Sequence, residues 1–310
     1  MKEMLIQTAM IYGRRNAVSK RKNFIALFSE QIRRLGFNVK LDEGFNTSVR
    51  KFSAVYGTPK DAKAVFLTGY DTPTATVYPG HRYYPLNIRK SAKNNLIDTW
   101  LRVLIGVILL AGVILLTRLP FFAEKRIARY VLIGLYSILF VFLLRSIDCR
   151  YSFNRNTSAV TLLYETAQVL KGDKKFAFGY VDDTVNAPLG YKRMADILKN
   201  DVANKDVVIL EAIGDGDEVF LVHKDAQDEE AKRILSHFKD LEIKDISISE
   251  EKSANTILSY FPKTFVLTSG RMVNGEIECW KTRSYSSLGC DIDRLEALEK
   301  GILDWVGNRG

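Results

Sequence analysis

Few residues in this sequence have the types and spacing that hydrolytic chemistry requires. The three histidines, His81, His223 and His237, lie far apart along the chain. The sequence contains no GxSxG elbow, no GxxxxGKS or GxxxxGKT phosphate loop and no HExxH pair, so serine hydrolase, P-loop nucleotide hydrolase and helix-borne zinc protease chemistry is disfavoured. The acidic string from Gly214 to Asp217 lacks the later Glu of a calcium loop and is typical of a turn between strands.

The cysteines do not indicate a chemical site either. Cys149, Cys279 and Cys290 are odd in number and have no CxxC spacing, so neither a disulfide framework nor a zinc knuckle is expected. They fit a reducing compartment. Cys290 has no histidine near it in sequence and is typical of a small buried apolar residue rather than of a nucleophile.

The 310 residues are 47% hydrophobic and 26% charged, which is the composition of an ordinary folded protein. The net charge of +9 is uneven, since residues 1–98 carry 17 basic and 7 acidic groups, 99–150 carry 7 and 2, and 151–310 carry 21 and 27. A basic first third beside a hydrophobic segment suits an anionic membrane surface. Nucleic acid is not an expected partner, because the basic residues are not interleaved with a recognisable reading motif.

Two apolar runs, Val103–Leu116 and Tyr130–Leu144, lie close together in the sequence. At 1.5 Å per residue, each run alone is shorter than a hydrocarbon layer of ~30 Å. Trp100–Phe122 and Ile127–Ile147 are long enough to span it if the flanking arginines extend to the headgroups. These arginines are Arg102, Arg118, Arg129 and Arg145. We therefore predict a transmembrane hairpin at 99–148, with the lipid bilayer as partner, in preference to two buried core helices.

The orientation of the hairpin is predicted from what precedes it. The N-terminus has no apolar region of the kind that forms a cleavable secretory signal. The long, basic segment before the first span is hard to translocate. We therefore expect an integral protein of the cell membrane whose soluble parts lie on the cytoplasmic face, with the loop Pro120–Glu124 outside.

The soluble parts alternate between helical and strand patterns. Apolar residues at three- and four-residue steps predict a helix over Ser19–Leu35. Strands are predicted at 38–41, 49–56, 64–69, 175–181, 207–213, 218–222, 242–248, 264–267 and 277–280, and further helices at 158–170, 189–199, 228–238 and 292–306. This order predicts an α/β fold with a mixed, mostly parallel sheet and helices on both faces. Because the first strands would be unpaired alone, residues 1–95 and 151–310 are expected to form one domain into which the hairpin is inserted.

Several stretches of the soluble chain carry motifs in a recognisable order. The first half reads IYGRRNAVSKRKNFIALFSEQIRRLGFNV and FSAVYGTPKDAKAVFLTGYDTP, and the second reads SFNRNTSAVTLLYETAQVL, KKFAFGYVDDTVNAPLGYKRMA and VVILEAIGDGDEVFLV, before a tail with TFVLTSG and SYSSLGCDIDRLEAL. In this order they resemble the dinuclear-zinc aminopeptidase family, although no single motif is intact. The resemblance covers most of the soluble chain and implies the zinc-aminopeptidase-like fold.

The resemblance also implies where the metal ligands of that family would lie. Members hold two zinc ions through His and carboxylate side chains, with a Glu that takes a proton from the bridging water. At the position of the first His this sequence has Tyr70 or Gly69, and at that of the bridging Asp it has Arg155. The acidic pair corresponds to Thr184 and Val185, with Asp182 or Asp183 nearby. The last His falls within Arg283–Ser286. Only Asp71, and Glu211 in place of an Asp, keep suitable chemistry. A guanidinium at the bridging position would repel metal ions.

The chain is therefore expected to be a degenerate member of that family with a vestigial cleft, no catalytic residues and no metal. Arg155 is expected to pair with Asp71, Asp183 or Glu211, unless it is a surface residue that pairs with nothing. The leading hypothesis is a membrane-anchored pseudo-peptidase that acts as a binding or scaffolding module for a peptide-like or polar ligand or a membrane-protein partner. One alternative is a residual metal-dependent aminopeptidase or amide hydrolase that binds zinc through Asp71, Glu211 and a displaced histidine such as His81. Another is an accessory subunit of a membrane complex that works through its hairpin.

Overall fold

A computed structural model describes residues 1–46, 49–119, 125–144, 149, 152–185, 188–283 and 289–307. Its strands are β1 (Val39–Asn46), β2 (Val49–Tyr56), β3 (Ala64–Gly69), β4 (Phe176–Val181), β5 (Asp206–Glu211), β6 (Glu218–Lys224), β7 (Ile243–Ile248), β8 (Thr264–Val273) and β9 (Glu276–Glu278). They form one sheet in the order β1-β2-β4-β3-β5-β8-β6-β7, and β9 pairs with β8. The four strands β4, β3, β5 and β8 are parallel neighbours, whereas β1, β2 and β6 join the sheet through antiparallel pairs.

The longer helices are α1 (Lys2–Tyr12), α2 (Val18–Arg34), α3 (Ile88–Thr117), α4 (Arg126–Leu144), α5 (Ser158–Leu170), α6 (Leu189–Leu198), α7 (Asp228–Leu235) and α9 (Ile292–Gly307), with a single turn, α8 (Glu250–Ser253), before β8. A π-helical turn, Phe153–Thr157, precedes α5. The predicted helices and strands are largely confirmed. The exceptions are α1, which the sequence pattern did not indicate, and strands β1 and β8, which extend beyond their predicted ends.

Alternate strand residues point to opposite faces of the sheet and form two cores, because successive side chains of a strand alternate in direction. On one face, Phe66 and Phe178 pack with Phe28 of α2, and helices α5, α7 and α9 complete the core. On the other face, Val65 and Leu67 pack with side chains of α6 and of the segment before β8. The predicted mixed α/β fold with helices on both faces is confirmed.

The sheet combines strands from both sides of the two apolar helices. β3, which precedes α3, lies between β4 and β5, which follow α4. Its residue Leu67 pairs with Gly179 on one side and with Ile209 on the other. This strand pairing does not determine exact domain boundaries. The predicted boundaries at 1–95, 99–148 and 151–310 therefore remain predictions.

Two helices, Ile88–Thr117 and Arg126–Leu143, are long and apolar enough to cross a membrane. They contact each other where Gly106 faces Phe140, since a Cβ at Gly106 would lie 2.8 Å from Cδ2 of that ring. The hydroxyl of Tyr136 donates to the carbonyl of Gly106 at 3.3 Å. The first helix begins before the predicted span and ends at Thr117. The predicted loop Pro120–Glu124 and Arg145 lie outside the described residues.

Arg102 was predicted to extend toward a lipid headgroup, but its side chain lies inside the protein. Its Nε lies 3.1 Å from Oδ2 of Asp98, one turn earlier on α3, and both side chains are buried. Its guanidinium also donates to the carbonyls of Ala75 and Leu143. The prediction was wrong because a guanidinium this close to a carboxylate and two carbonyls finds all its partners within the protein.

Candidate functional site

Arg155 lies in the π-helical turn that leads into α5, beyond the carboxyl ends of the parallel strands. The turn is fixed by its neighbour Asn154, whose amide donates to the carbonyl of Trp280 at 2.8 Å and accepts from the backbone of Asp215 at 2.9 Å. The same residue's carbonyl accepts from the backbone of Gly214 at 3.3 Å. The turn is therefore held to the segments after β5 and β9, and the Arg155 side chain points inward, with only 2% of its surface exposed.

The guanidinium of Arg155 has four neighbours. Its Nη1 and Nη2 donate to the carbonyls of Val185 and Thr184 at 3.0 and 2.9 Å. Its Cζ lies 3.8 Å from the ring centroid of Tyr83, and its Nε lies 3.7 Å from Oε2 of Glu211. Burial acts to lower the pKa of Arg155, but Tyr83 and Glu211 raise it above its ordinary value. The predicted pairing of Arg155 with a carboxylate is confirmed for Glu211.

Glu211, at the end of β5, has both carboxylate oxygens engaged. Tyr191 of α6 donates to Oε1 at 2.7 Å, and Tyr83 donates to Oε2 at 3.0 Å. Tyr191 also accepts from the backbone of Gly69 at 2.8 Å, which ties the carboxylate to the end of β3. Burial raises the pKa of Glu211, and the neighbouring Arg155 acts against that rise. Its charge is thus matched by one guanidinium and two hydroxyl groups.

Asp71 and Thr184 form the adjoining part of the cluster. Asp71 accepts from the Thr184 hydroxyl at 2.6 Å and from the backbone of Val185 at 3.1 Å. A Cβ added at Gly69 would overlap the Thr184 hydroxyl and lie 2.9 Å from the Thr184 Cβ. The place of a side chain at Gly69, one of the two positions (with Tyr70) where the resemblance expects the first zinc-binding His, is therefore taken by Thr184. We call Asp71, Tyr83, Arg155, Thr184, Tyr191 and Glu211 the Arg155 centre.

Asp182 and Asp183 lie beside this centre and have their own cationic partners. Asp182 is 3.1 Å from Nε of Arg21 and accepts from the backbone of Phe52 at 3.0 Å. Burial, and then the charge of Asp71, raise the pKa of Asp182 to about 6. Asp183 pairs with Lys51 at 2.9 Å and has a positive φ of 65°, a left-handed conformation that turns the chain after β4.

Tyr70 does not belong to the cluster. Its ring stacks on Phe24 of α2, with 5.0 Å between centroids and 8° between planes. Its hydroxyl donates to the carbonyl of Phe52 at 2.7 Å, and burial raises its pKa well above the ordinary value. Tyr70 is a residue of the core under α2, because the alternation along the strand turns its side chain away from the cleft.

Arg283 lies on the other side of the centre, toward α3. It donates to the carbonyl and hydroxyl of Thr74 at 2.9 and 2.6 Å and to Oδ1 of Asn95 at 2.5 Å. The same Asn95 oxygen accepts from Nε2 of His81 at 3.1 Å. Burial lowers the pKa of His81 to about 4, so this imidazole is neutral. The remaining positions expected for the last His, 284–286, lie outside the described residues.

The donor groups of the Arg155 centre do not suit a zinc ion. Among the residues that the structure describes, no three His, Cys, Asp or Glu side chains are arranged to hold a metal. Both oxygens of Glu211 already accept hydroxyl hydrogen bonds, and Asp71 accepts from Thr184 and Val185. The space lined by Tyr83, Arg155 and Thr184 measures about 10 Å³, which is at the lower limit for one water molecule.

The comparisons with known proteins concern the fold. No family model and no curated protein sequence matches the chain. A glutaminyl cyclase from Bacteroides thetaiotaomicron, solved with N-acetylhistamine, is similar with a TM-score of 0.59 and 10% identity, covering 98% of this chain and 96% of that one. A Zn-dependent exopeptidase from Parabacteroides distasonis gives 0.59 and 11% over the same shares. The aminopeptidase LapA from Legionella pneumophila gives 0.55 and 9%, covering 98% and 68%.

These likenesses confirm the aminopeptidase-like fold that the motif order indicated. At such low identity they carry no residue roles from one protein to another. Two groups of the centre, Tyr83 and Tyr191, were missed by the sequence analysis. Tyr83 lies in a segment without periodicity, and it is held by a pair of backbone hydrogen bonds to Cys279, at 2.9 and 2.8 Å. No local pattern signals a contact between residues so far apart in sequence.

Proposed function

We propose that this chain is a membrane-anchored, noncatalytic binding or scaffolding module with an aminopeptidase-like fold. One observation supports the proposal most: the buried guanidinium of Arg155, where the resemblance expects a metal ligand, pairs with Glu211 at 3.7 Å. A fixed positive charge there opposes a divalent metal ion. The two zinc ions of the related chemistry have no place in this centre, and hydrolysis of the zinc-dependent kind is not expected.

Most polar groups of the centre are satisfied within it, although Nε of Arg155 forms no hydrogen bond with the described residues. An isolated buried charge is costly, whereas one that is paired and hydrogen-bonded is tolerated. Arg155 has two carbonyl acceptors, one carboxylate and one aromatic face. In this proposal the arginine holds together the segments that bear Val185, Thr184, Glu211 and Tyr83, so the fold persists without metal.

A cavity beside the centre provides a place for a polar ligand. It measures about 390 Å³, which is within the range of small-molecule sites. Its lining mixes cations such as Lys51 and Arg283 with carboxylates such as Asp71 and Asp183. Side chains of both signs suit a zwitterionic, peptide-like ligand. We call it the hairpin-root cavity, because Asp98, Thr99, Arg102 and Val103 of α3 form one wall.

Membrane anchoring is supported by the surface of the two apolar helices. Only 11% of the most apolar window of α3 and 0% of that of α4 is buried within the protein. Core helices would be covered by other elements, and these are not. Large apolar side chains such as Leu115 and Ile127 are 68% and 81% exposed. A lipid bilayer would cover them, with the α/β domain on the cytoplasmic face in our proposal.

The test of the noncatalytic proposal is made on the full chain purified in a non-ionic detergent. Its zinc content is measured by elemental mass spectrometry, alongside aminopeptidase and glutaminyl cyclase assays, with the Parabacteroides distasonis exopeptidase as a positive control for zinc detection. We expect no stoichiometric zinc and no turnover. Zinc at one or two ions per chain, lost together with activity in Glu211→Gln, would establish the hydrolase alternative instead.

Orientation is tested separately by cysteine labelling. Arg118 lies at the end of α3 and is exposed, so Arg118→Cys places a thiol at the tip of the hairpin. Lys232 of α7 is exposed on the α/β domain, and Lys232→Cys is the matched position on the other side. We expect a membrane-impermeant maleimide to label the first variant in intact cells and the second only after lysis. The reverse pattern would refute the cytoplasmic placement.

A further inference from the structure

A second cavity lies on the far side of Arg283 from the hairpin-root cavity. It measures about 570 Å³. One wall is the segment from Thr76 to Arg82, which follows β3, and the other comprises Asp217, Arg271 and the residues Trp280–Arg283 after β9. We call it the Trp280 cavity. Its lining does not include Arg155, so binding of a ligand in this cavity would not depend on the Arg155 centre.

Four basic side chains line the Trp280 cavity, against one acidic residue, Asp217. Arg82 and Arg271 both lie near one oxygen of Glu278, at 2.9 and 3.4 Å, and therefore share a single carboxylate. Lys281 pairs with Asp215 at 3.0 Å. With Asp217 included, three carboxylates face four cations. The described part of the cavity therefore has one positive charge in excess.

That excess charge is on Arg283. Its hydrogen bonds go to the carbonyl and hydroxyl of Thr74 and to the amide oxygen of Asn95, which are all neutral acceptors. Within the described ranges it contacts no carboxylate. The side chain is only 6% exposed, so water compensates its charge poorly. A guanidinium in this state attracts an anion into the space that it lines.

A second polar group beside Arg283 lacks a partner. The hydroxyl of Thr282 is buried and forms no hydrogen bond with the residues that the structure describes. The residue lines the same cavity and is 2% exposed. A buried hydroxyl without a partner is uncommon in folded proteins, because leaving it unsatisfied costs free energy. The hydroxyl oxygen has almost no accessible surface, so the Thr282 side chain must turn toward the cavity to donate to an anion held by Arg283.

We propose that the Trp280 cavity binds a phosphate group. The excess charge requires an anion, and the fork of N–H donors on arginine matches the oxygens of phosphate. Arg283 supplies the uncompensated charge, and Lys281, although paired with Asp215, adds an ammonium donor. Thr282 supplies a hydroxyl, and the half-buried indole of Trp280 offers a flat apolar wall for the remainder of the ligand. This inference rests on the proposed function only in treating the domain as one that binds its ligand without converting it.

The phosphate belongs either to a soluble molecule or to a lipid headgroup. The wall of the cavity is tied to α3, since Asn94 donates to the carbonyl of Arg82 at 2.8 Å and Asp98 accepts from Thr76 at 2.6 Å. The apolar run of that helix begins at Val103, which is about 7.5 Å further along the axis at 1.5 Å per residue. If α3 spans the bilayer, the cavity lies at the depth of the headgroups.

The experiment is calorimetric titration of the full chain in a non-ionic detergent, with two probes. Inorganic phosphate represents the soluble source, and dihexanoyl phosphatidylglycerol represents the headgroup, with dihexanoyl glycerol as a control that lacks phosphate. We expect one saturable site for at least one phosphate-bearing probe, weakened by added salt. Binding of inorganic phosphate assigns a soluble ligand, and binding of the lipid alone assigns a headgroup. Both outcomes uphold the phosphate site.

Four variants connect the binding to the cavity. Lys281→Gln changes a half-exposed side chain, and we expect affinity to fall about tenfold or more. Thr282→Val keeps the shape and removes the hydroxyl, so affinity falls by about fivefold to tenfold. Arg283→Gln abolishes binding, provided that its melting temperature shows a folded protein. Lys232→Gln, an exposed lysine on α7, is the matched control and leaves affinity unchanged.

Absence of binding for both phosphate-bearing probes would overturn the inference. So would binding that is equally strong in Lys281→Gln and Thr282→Val, since it would then take place elsewhere. These outcomes are distinct from failure of the proposed function. Zinc together with peptidase activity would refute the noncatalytic proposal, whatever the titration shows. Absence of phosphate binding would refute the phosphate site and leave the noncatalytic proposal unaffected.

Discussion

The guanidinium of Arg155 stacks on the ring of Tyr83, with 3.8 Å between Cζ and the ring centroid. The hydroxyl of the same tyrosine donates to Glu211, which is also the carboxylate nearest to that guanidinium. One aromatic side chain thus contacts both members of a buried ion pair. Because each of the three groups contacts the other two, a change in any one of them alters the surroundings of the others.

Removal of the arginine is expected to destabilise the fold strongly. Arg155→Ala leaves Glu211 buried without a cation, so the free energy of unfolding should fall by about 3–5 kcal/mol. The measurement is chemical denaturation of the detergent-purified protein. Arg33→Ala on α2 removes an ion pair in which both side chains are at least half exposed, and a change of about 1 kcal/mol or less is expected there. Equal effects of the two substitutions would show that Arg155 does not hold the centre.

The close approach of Gly69 and Thr184 predicts a non-additive pair of substitutions. Gly69→Ala introduces a Cβ into the space of the Thr184 side chain, and overpacking of this kind costs about 1–3 kcal/mol. Thr184→Ala removes the hydroxyl that bonds Asp71. In the double variant the two changes compensate in part, so the loss is smaller than the sum of the single losses. Melting temperatures of the four proteins measure this, and simple additivity would contradict the arrangement.

Acidification is expected to destabilise the protein through His81. Burial lowers the pKa of this imidazole from 6.5 to about 4, the Asn95 hydrogen bond acts against that change, and Arg283 and Arg155 add to it. Between these values the unfolded chain binds a proton that the folded chain does not. Stability from this group is therefore present above the unfolded pKa and is lost as pH falls from about 6.5 to about 4, by about 3 kcal/mol at most.

The measurement for His81 compares the native chain with His81→Gln across that pH range. Burial raises the pKa of Asp182 from 3.8 to about 6, so this group titrates in the same pH range. Its effect on stability is opposite to that of His81, because the folded chain binds its proton more tightly and gains stability as pH falls from about 6 to about 3.8. The difference between the two proteins removes this contribution. We expect the native chain to lose more stability than His81→Gln on acidification. Parallel curves would mean that His81 is protonated equally in both states.

Asp98 is expected to control how the hairpin is attached to the domain. Its Oδ1 accepts from the hydroxyl of Thr76 at 2.6 Å and from the backbones of Val77 and Tyr78 at 2.7 and 3.1 Å. Asp98→Ala leaves these donors and Arg102 without their acceptor. We expect faster hydrogen exchange of the Val77 and Tyr78 amides, measured by mass spectrometry. Lys93→Ala, an exposed position on the same helix, is the control, and unchanged exchange in Asp98→Ala would disprove the attachment.

Sequence patterns predicted the elements that are well buried and rich in apolar residues. The helix Ser158–Leu170 and the strand Ala64–Gly69 have the bounds that their apolar patterns indicated. The helix Lys2–Tyr12 was not predicted, because it buries only Leu5, Thr8 and Ala9 and leaves apolar side chains such as Met10 exposed. A periodic pattern arises only where one face is covered and the other is polar.

The candidate site was predicted only in part, for a different reason. The pairing of Arg155 was predicted from two arguments: the resemblance put this residue at the bridging metal position, and a buried guanidinium requires an anion. Tyr70 was placed in the cleft by the resemblance, although the direction of its side chain is set by strand register. The hydrogen bond between Tyr83 and Glu211 joins residues 128 apart in sequence. Contacts of that kind depend on the folded topology, and no stretch of sequence carries them.

The position of β3 in the sheet has a consequence for biosynthesis. Both of its partners, β4 and β5, are synthesised after the two apolar helices. Until then β3 has no partner on either edge, and β2, which pairs with β1, has none on its other edge. If the two helices insert into a membrane as proposed, sequential synthesis places insertion before closure of the sheet, and the domain then completes its folding beside the lipid surface.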